Sequence, residues 1–366
     1  YFIRIEDGPE GDDYLEVESQ ILQAVVTAGV PAPRVFHVDA TRRHAPFAWQ
    51  ILEKVAQTDL NRLAKAGELD LGAVSTQIGA YVAHWQSVPT RGFGPFDVGI
   101  LRTQRRLQGL MREYRDYFFL RLDEHLAFLE RKAFLSPNEG AEIRSEIERH
   151  SRLLDRATGC LVHKDLALWN ILGTPKQITA FIDWDDSIAG DPLDDLSLLG
   201  CFHDGVVIAR ALEGYASVRP LPEDYAQRFW LHLLRNMLIK SVIRVGAGYF
   251  ERPDSFFLVG AGTNLRTFTL ARVRAALAGL REAADPVSLL LLNASPACDQ
   301  GHFLLERGSQ VVPLSLLNLL RNAASIGCCS TWSMARGRKD PSCPICKRCV
   351  VHEVRRLCVW VLRILI

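Results

Sequence analysis

Long apolar runs and an excess of one charge are both missing from this sequence. No apolar run reaches the roughly 18 residues that a membrane-spanning helix requires, and the first residues lack the basic segment and apolar core of a secretory signal. The 43 Lys and Arg nearly balance the 42 Asp and Glu, giving a net charge of +1, whereas nucleic-acid-binding domains are normally strongly basic. These absences predict a cytoplasmic protein that binds neither a membrane nor nucleic acid.

Cysteine is scarce over most of the chain and concentrated near its end. Seven of the nine cysteines follow Asp285, where the composition changes abruptly. The run CPICKRC at 343–349, together with His352, offers four soft zinc ligands. A structural zinc site normally uses two separated pairs of ligands, and this cluster lacks the second pair. We therefore expect residues 284–366 to form an atypical, poorly ordered tail, with zinc binding as the weaker alternative.

The stretch LVHKDLALWNILGTPKQITAFIDWDDSIAGDPLDD, residues 161–195, places polar residues at regular intervals within apolar sequence. Its spacing is that of a catalytic loop followed by a short strand, a turn and a second strand. The polar positions that define this spacing are His163, Asp165, Asn170 and Asp183. An isolated Asp is usually a solvated loop residue, but Asp165, Asn170 and Asp183 together, at these intervals inside two apolar runs, are hard to obtain by chance.

Phosphoryl transfer is the chemistry that needs this arrangement. A carboxylate must reach the attacking hydroxyl, and an amide oxygen and a second carboxylate must hold Mg²⁺ on the ATP phosphates. We predict that Asp165 accepts or orients the hydroxyl proton and that His163, the other member of the catalytic set, braces the loop from behind. Asn170 and Asp183 are the predicted Mg²⁺ ligands, because this hard ion prefers oxygen donors.

HKDLALWN followed by FIDWDDSIAGDPLDDL resembles the aminoglycoside phosphotransferase and choline-kinase-like family of small-molecule kinases, over about residues 1–283. In that family the second motif ends in Asp-Trp rather than in the Asp-Phe-Gly of protein kinases. A Gly-Asp-Pro-x-x-Asp-Leu segment follows, which is matched here by Gly190, Asp191, Pro192, Asp195 and Leu196. The resemblance implies that the two aspartates brace the catalytic loop, that ATP and Mg²⁺ are the cofactors, and that the partner is a small-molecule hydroxyl acceptor.

The fold implied by the resemblance is α+β, a two-lobed protein-kinase-like fold. Residues 1–58 would form a small, β-rich, partial nucleotide-binding lobe, and 59–283 a large, mainly helical catalytic and substrate lobe, followed by the 284–366 tail. The hairpin that covers the phosphates in this family is missing before the first strand, and the chain begins with Tyr1 rather than Met. We therefore expect an N-terminally truncated sequence with an incomplete first lobe.

Four residues of the first lobe are implied to hold the nucleotide. Arg4 occupies the position of the basic residue that contacts the α- and β-phosphates, where Lys is usual and Arg is not equivalent. Glu18, on a helix predicted over Glu16–Ala28, would pair with Arg4. Backbone groups near Glu53 and Val55 would bond the adenine. An exposed cation at Arg4 and a solvated carboxylate at Glu18 remain the alternative interpretations.

Helical patterns dominate from residue 60 onward. The predicted helices are 74–87, 104–132 with one break, 137–155 after a capping box at Ser136, 196–218, 222–245 and 263–280. Residues 92–95 are predicted as a turn. The basic residues of the later helices are predicted to be mostly solvated, among them Arg210, Arg228, Arg235, Lys240 and Arg244. Acids are few there, so an aminoglycoside-like antibiotic, an amino sugar and an amino alcohol all remain possible acceptors.

The sequence thus predicts a phosphotransferase that moves the γ-phosphoryl group of ATP to a hydroxyl of a small molecule. A catalytically impaired pseudokinase or binding module of the same fold is the first alternative, favoured by Arg4 and by the missing hairpin. A protein kinase is the second, and the Asp-Trp-Asp-Asp run and the lack of an Ala-Pro-Glu segment disfavour it. No feature of the sequence predicts the oligomeric state.

Overall fold

The computed structural model describes residues 1–6, 13–253 and 256–292. The cysteine- and histidine-containing segment considered above as a zinc site lies outside the described residues, as does all of the predicted tail beyond residue 292. No helix in the described ranges is long and apolar enough to cross a bilayer.

A three-stranded antiparallel sheet and one helix form the first part of the chain. In chain order these elements are β1 (Phe2–Glu6), α1 (Leu15–Thr27), β2 (Val35–Asp39) and β3 (Ala48–Leu52). The strand order is β1-β3-β2, and Arg4 lies opposite Gln50 in the ladder. Helix α1 buries the predicted apolar face of Val17, Ile21 and Val25. It ends before Gly29, whose φ of 82° is the left-handed conformation that glycine adopts freely.

Short strands and helices alternate through the middle of the chain. These elements are β4 (Thr58–Asp59), α2 (Leu60–Lys65), α3 (Leu71–Trp85), β5 (Thr90–Arg91), β6 (Phe93–Phe96), α4 (Val98–Gln104), β7 (Leu107–Met111), α5 (Tyr114–Phe119), α6 (Leu122–Arg131) and α7 (Pro137–Arg149). Helix α7 begins with the predicted capping box, in which Ser136 and Glu139 bond reciprocally. A 3-10 turn follows it at Ser151–Leu154.

The predicted catalytic segment comes next, and helices complete the chain. The elements are β8 (Cys160–Val162), β9 (Ile171–Gly173), β10 (Ile178–Phe181), β11 (Ile188–Gly190), α8 (Leu193–Leu199), α9 (Gly205–Ala216), α10 (Tyr225–Gly246) and α11 (Gly262–Glu282). Strands β10, β9 and β4 form one antiparallel sheet, so β4 ties the exit from the first lobe to the catalytic segment. Strands β5-β7-β6-β11-β8 form another sheet.

The region predicted as helical with one break over 104–132 contains the strand β7 and then the two helices α5 and α6, so the prediction is wrong for the part that forms β7. Gly109 explains the difference, because a Cβ at this position would overlap the backbone of Phe93 on the neighbouring strand β6. Residues 92–95, predicted as a turn, mostly belong to β6. The helix predicted over 196–218 is divided into α8 and α9, and Asp204 caps the second by accepting the N–H of Val206.

The prediction of solvated basic side chains on the later helices is also wrong for α10. Arg228 and Arg244 are each 1% exposed and Arg235 is 6% exposed. Arg235 donates to the backbone oxygens of Phe118 and Leu120, more than a hundred positions away along the chain. Partners this distant leave no mark on local periodicity, so pairing with distant groups could not be anticipated from the helix sequence alone.

Candidate active site

The predicted catalytic loop leaves β8 at His163, which is fully buried. Its ring lies 4.4 Å from that of Trp184, between centroids, and its Nε2 is 3.0 Å from the carbonyl oxygen of Ile182. Burial lowers the pKa of His163, which favours the neutral ring near pH 7. The side chain therefore contacts the inside of the loop, where it can brace it, and its Nδ1 accepts the backbone N–H of Asp165 at 3.3 Å.

Asp195 secures the turn at the start of the loop. Its carboxylate accepts the backbone N–H of His163 at 2.8 Å and of Lys164 at 3.0 Å, and the indole N–H of Trp85 at 3.1 Å. Lys164 has a φ of 71°, which is uncommon for a residue with a side chain. Burial raises the pKa of Asp195 to about 7 against the effect of these donors. The bonds to the loop backbone account for the presence of a buried carboxylate here.

Asp191 and Asp194, the other two aspartates of the run GDPLDD at 190–195, are each paired with a cation. Asp191 is fully buried and accepts hydrogen bonds from two nitrogens of Arg228, Nε at 3.0 Å and Nη2 at 2.7 Å. Asp194 receives Nζ of Lys164 at 2.8 Å and Nδ2 of Asn236 at 2.8 Å. Burial opposes the ionised form of both, but the nearby positive groups outweigh it and lower both pKa values.

Asp165 and Asn170 contact each other directly across the loop. The amide Nδ2 of Asn170 donates to Oδ2 of Asp165 at 2.8 Å and to its backbone oxygen at 2.9 Å. With both amide hydrogens used in this way, the Oδ1 atom is the part of Asn170 left to accept or to ligate. The other oxygen of Asp165, Oδ1, lies 2.7 Å from Nζ of Lys240 on α10. Burial opposes ionisation of Asp165, but Lys240 outweighs it and lowers the pKa.

Asp183 follows β10 and is placed beside this pair by the backbone. The N–H of Ile182 donates to the carbonyl oxygen of Asn170 at 3.0 Å, and Asp183 has a φ of 67°. A left-handed conformation at a non-glycine residue is typical of functional sites, where neighbouring contacts hold the strain. Burial, and then the charge of Asp185, raises the pKa of Asp183 to about 7.

The side-chain oxygen atoms of Asn170 and Asp183 are of the kind that Mg²⁺ prefers as ligands. In the described ranges no three His, Cys, Asp or Glu side chains converge as a ready-made metal site. Mg²⁺ does not need such a cage, since it usually binds one or two carboxylates together with substrate phosphates and water. The donor set therefore fits an ion that arrives with a nucleotide better than a permanently bound one.

Arg4 and Glu18 lie together, as predicted. Nη1 of Arg4 is 2.8 Å from Oε1 of Glu18, which is 2% exposed and also accepts the backbone N–H of Trp184 at 3.3 Å. Arg4 further reaches Asp183 at 3.5 Å and Asp185 at 2.6 Å. Neither alternative interpretation, an exposed cation or a solvated carboxylate, describes this pair. The structure thus brings residues from β1, α1 and the segment after β10 into one cluster.

Two acidic members of the cluster were missed from the sequence, Asp185 and Asp186. Burial and the charges of Asp185, Asp165 and Asp183 raise the pKa of Asp186. The signal was present, because the run DWDD places three carboxylates in four residues. Such a run is more often a solvated turn, so spacing alone did not select them.

The predicted adenine-binding residues lie where the chain leaves the first sheet. Glu53 follows β3 directly, and its N–H donates to the backbone oxygen of Arg34 at 2.8 Å. This bond occupies the N–H of Glu53. Val55 lies two residues further, between β3 and the short strand β4. Both residues lie in the segment that joins β3 to β4, and binding of the adenine there stays a prediction.

A small sheet with one buried helix, a mainly helical lobe and a braced loop between them define a two-lobed kinase-like α+β fold. Residues 1–230 match the phosphotransferase enzyme family, and the chain belongs to that family. The protein is therefore a small-molecule kinase, a phosphotransferase with a hydroxyl group as acceptor. No curated protein matches the chain in sequence.

Solved structures show the same fold at low sequence identity. One is a thermostable mutant of aminoglycoside phosphotransferase APH(4)-Ia in a ternary complex with AMP-PNP and hygromycin B, with 17% identity and a TM-score of 0.54, covering 76% of this chain and 85% of that one. Another is a protein from Thermobifida fusca assigned as a fructosamine-3-kinase, with 20% identity, a TM-score of 0.52 and the same two coverages. At these identities the likeness shows the fold.

Proposed function

We propose that this protein transfers the γ-phosphoryl group of ATP, bound with Mg²⁺, to a hydroxyl group of a small molecule. The observation that carries the proposal is the direct contact of Asp165 with Asn170, with Asp183 held beside them by the backbone bond between Ile182 and Asn170. A proton-accepting carboxylate and two oxygen ligands for Mg²⁺ then lie at one place, which is the set that this reaction requires.

In this reaction the acceptor oxygen attacks the γ-phosphorus, and the bond from that phosphorus to the bridging oxygen of ADP breaks. Asp165 orients the hydroxyl and takes its proton, in its ionised form. Asn170 and Asp183 would hold Mg²⁺, which supplies charge neutralisation on the phosphates. Arg4 would steady the phosphates, and Glu18 would hold Arg4 in place.

We further assign nucleotide binding to residues 1–58 and the chemistry to residues 59–283. The proposal for Glu53 and Val55 is that the crossing between β3 and β4 bonds the adenine through its backbone. Strand β4 begins at Thr58 and pairs with β9, the strand that follows Asn170. The chain therefore joins the sheet of the catalytic segment at this point, which supports a boundary there.

The acceptor is proposed to meet Asp165 beside an aromatic wall. Trp169 directly precedes Asn170, and its ring lies 4.9 Å from that of Phe202, between centroids. Aminoglycosides such as hygromycin B, which the solved relative binds, are therefore the first acceptors to test, followed by amino sugars, fructosamines and amino alcohols. An aromatic wall suits the apolar face of a sugar ring.

A thermal-shift experiment with Mg·ATP tests the nucleotide site before the acceptor is known. A ligand present at about a hundred times its dissociation constant stabilises a protein by roughly 2.7 kcal/mol. We expect this shift in the wild type and in Asp165→Asn, and its loss in Asp183→Asn. Asp155→Asn is the matched control, because this carboxylate is 62% exposed and pairs at the surface with Arg115. An equal shift in Asp183→Asn would contradict the proposed metal ligand.

ADP release across the acceptor classes separates an active kinase from the impaired alternative. The engagement of Arg4 by Asp185 at 2.6 Å favours that alternative, since this carboxylate competes with the ATP phosphates for the guanidinium. An active kinase releases ADP with at least one acceptor class and loses nearly all of this activity in Asp165→Asn. Mg·ATP binding without ADP release for any class would establish the impaired form.

A further inference from the structure

Lys240 is a cation at the reaction centre to which neither the sequence analysis nor the family resemblance assigns a role. It lies on α10, and its side chain is 16% exposed. Nζ is 2.7 Å from Oδ1 of Asp165, and it lies 5.9 Å from the ring centroid of Phe202. Burial alone would lower the pKa of Lys240, but Asp165 outweighs it, so the side chain remains an ammonium.

Contacts other than that of Lys240 with Asp165 already hold the loop in shape. The loop backbone is already bonded by Asp195, and the neighbouring Lys164 is tied to Asp194 and Asn236. Lys240 instead touches the carboxylate oxygen that is not bonded to Asn170. Its contact is therefore with the carboxylate that is proposed to react and not with the loop backbone.

The geometry of phosphoryl transfer places the moving group beside this ammonium. An acceptor oxygen lies roughly 2.6–3.2 Å from the carboxylate that takes its proton, and about 3–3.5 Å from the atom that it attacks. A phosphoryl group in transit therefore lies within roughly 7 Å of the Asp165 carboxylate, and Lys240 is bonded to the Oδ1 atom of that carboxylate. Its equatorial oxygens carry negative charge in the transition state, and a fixed cation stabilises that charge.

Several carboxylates surround Asp165, so the ammonium of Lys240 offsets part of the negative charge that a phosphoryl group would meet there. Burial, and then the charges of neighbouring carboxylates that include Asp165, raise the pKa values of Asp183 and Asp186, and Lys240 acts on Asp186 in the opposite sense. Arg4 reaches the same cluster from β1. Lys240 thus supplies positive charge from the helical lobe, facing the side of Asp165 where the acceptor is proposed to bind.

We propose that Lys240 is a catalytic residue that contacts the transferred phosphoryl group, moving from its resting contact with Asp165 onto an equatorial oxygen of that group. The inference rests on the proposed function and adds a residue to it. The acceptor-oxygen–phosphorus bond forms, the bond to the leaving ADP oxygen breaks, and the hydroxyl proton goes to Asp165. The ammonium of Lys240 keeps its three protons throughout.

Binding of Mg·ADP with aluminium fluoride, a mimic of the transferred group, tests this without an acceptor. We expect aluminium fluoride to stabilise the wild type beyond Mg·ADP alone, and Lys240→Met to lose this additional thermal shift while keeping the shift with Mg·ADP. Lys240→Arg should retain part of it. The matched control is Lys65→Met, because Lys65 also lies over a phenylalanine ring, at 5.8 Å from Phe256, but bonds a carbonyl oxygen.

Turnover then separates direct contact from an effect through Asp165. Lys240→Met should lower kcat by about 10²–10³-fold, with KM for ATP changed less than about threefold. In the Asp165→Asn background, adding Lys240→Met should lower the residual ADP release about tenfold further. Equal release in the two Asp165→Asn proteins would show that Lys240 acts only through Asp165, and would overturn the proposal.

The failure of this inference differs from the failure of the proposed function. A wild type that shows no response to Mg·ADP, with or without aluminium fluoride, and no ADP release rejects both. A wild type that responds to aluminium fluoride, with Lys240→Met responding equally, rejects the role of Lys240 alone.

Discussion

Two groups of aspartates lie within a dozen residues of each other and are treated in opposite ways by the fold. Asp191 and Asp194 are buried, and each has a cationic partner, Arg228 or Lys164. Their pKa values are lowered despite burial. Asp183 and Asp186 share a crowded space with other carboxylates, and burial and mutual repulsion raise their pKa values.

The difference separates charge that supports structure from charge that is available for function. A buried carboxylate with its own cation is neutralised inside the protein and contributes to the shape of the loop. A cluster of carboxylates with too few cations is best neutralised by an ion that binds from outside, such as Mg²⁺ with a nucleotide. The same residue type in one short segment thus has two opposite environments, and the partners of each carboxylate decide which one it has.

The largest expected effect comes from breaking a structural pair. Asp191→Asn leaves Arg228 charged, 1% exposed and without its bidentate partner. Removing one member of a buried ion pair typically costs about 3–5 kcal/mol. We expect a loss of this size in the free energy of unfolding measured by urea denaturation. A loss below about 1 kcal/mol would mean that Asp224, which also bonds Arg228, is a sufficient partner.

Removing both charges of that pair sharpens the comparison. In Asp191→Asn/Arg228→Met the buried cation is gone, and the amide oxygen can still accept the N–H of Leu193, as Asp191 does at 2.8 Å. Replacing a whole buried pair is often nearly neutral in stability. The double variant should therefore be more stable than Asp191→Asn alone, and equal stability would show that Arg228 was not the source of the loss.

The next largest effect is a pH dependence of stability that arises from Asp183, in the group of crowded carboxylates. The pKa of Asp183 is raised to about 7 in the folded protein, compared with about 3.9 in an unfolded chain. Its protonated form thus favours folding at low pH, and this contribution is lost as the pH rises through 7. The advantage in unfolding free energy of the wild type over Asp183→Asn should therefore decrease between pH 5 and 8, in buffer containing a chelator.

Asp191, in the group of aspartates with cationic partners, provides the contrast for this measurement. The pKa of Asp191 is lowered in the fold, so its stabilisation is complete above about pH 4 and is lost only in stronger acid. The difference between wild type and Asp191→Asn should be constant from pH 5 to 8. Parallel curves for wild type and Asp183→Asn would contradict the raised pKa at the site.

The parts of the fold and site that sequence could predict are those with local signals. The spacing of Asp165, Asn170 and Asp183, the capping box at Ser136 and the apolar face of α1 each lie within a short window. The structure shows the capping box, the buried apolar face and a direct contact of Asp165 with Asn170. The contact of Arg4 with Glu18 was expected from the kinase resemblance and is also present.

The parts that sequence could not predict depend on partners far away in the chain. Arg228 and Lys240 have the charge and spacing of an exposed helix face, and their burial follows from aspartates 37 and 75 residues earlier. Gly109 interrupts a helical pattern because of a strand that it must approach closely. Hydrophobic periodicity reports which face is apolar, but it carries no information about which buried charge has a partner.

The smallest expected effect extends the comparison to two buried arginines of α10. Arg228 has a carboxylate, whereas Arg244, which is also 1% exposed, bonds Thr269 at 2.8 Å and lies over Phe257 at 4.9 Å from the ring centroid. Among the described residues its Nε and Nη2 have no hydrogen-bond partner, and burial lowers its pKa to about 10.

Arg244→Met should change the free energy of unfolding by less than about 1 kcal/mol, while Arg228→Met should cost about 3–5 kcal/mol. Methionine fills similar space, and relief of the buried charge offsets the lost cation–π contact, worth about 0.5–2 kcal/mol, and the lost hydrogen bond, worth about 1 kcal/mol. Urea denaturation of both variants measures the difference. Equal losses would mean that these two arginines are held alike, and that a carboxylate partner is not what separates a structural charge from an available one.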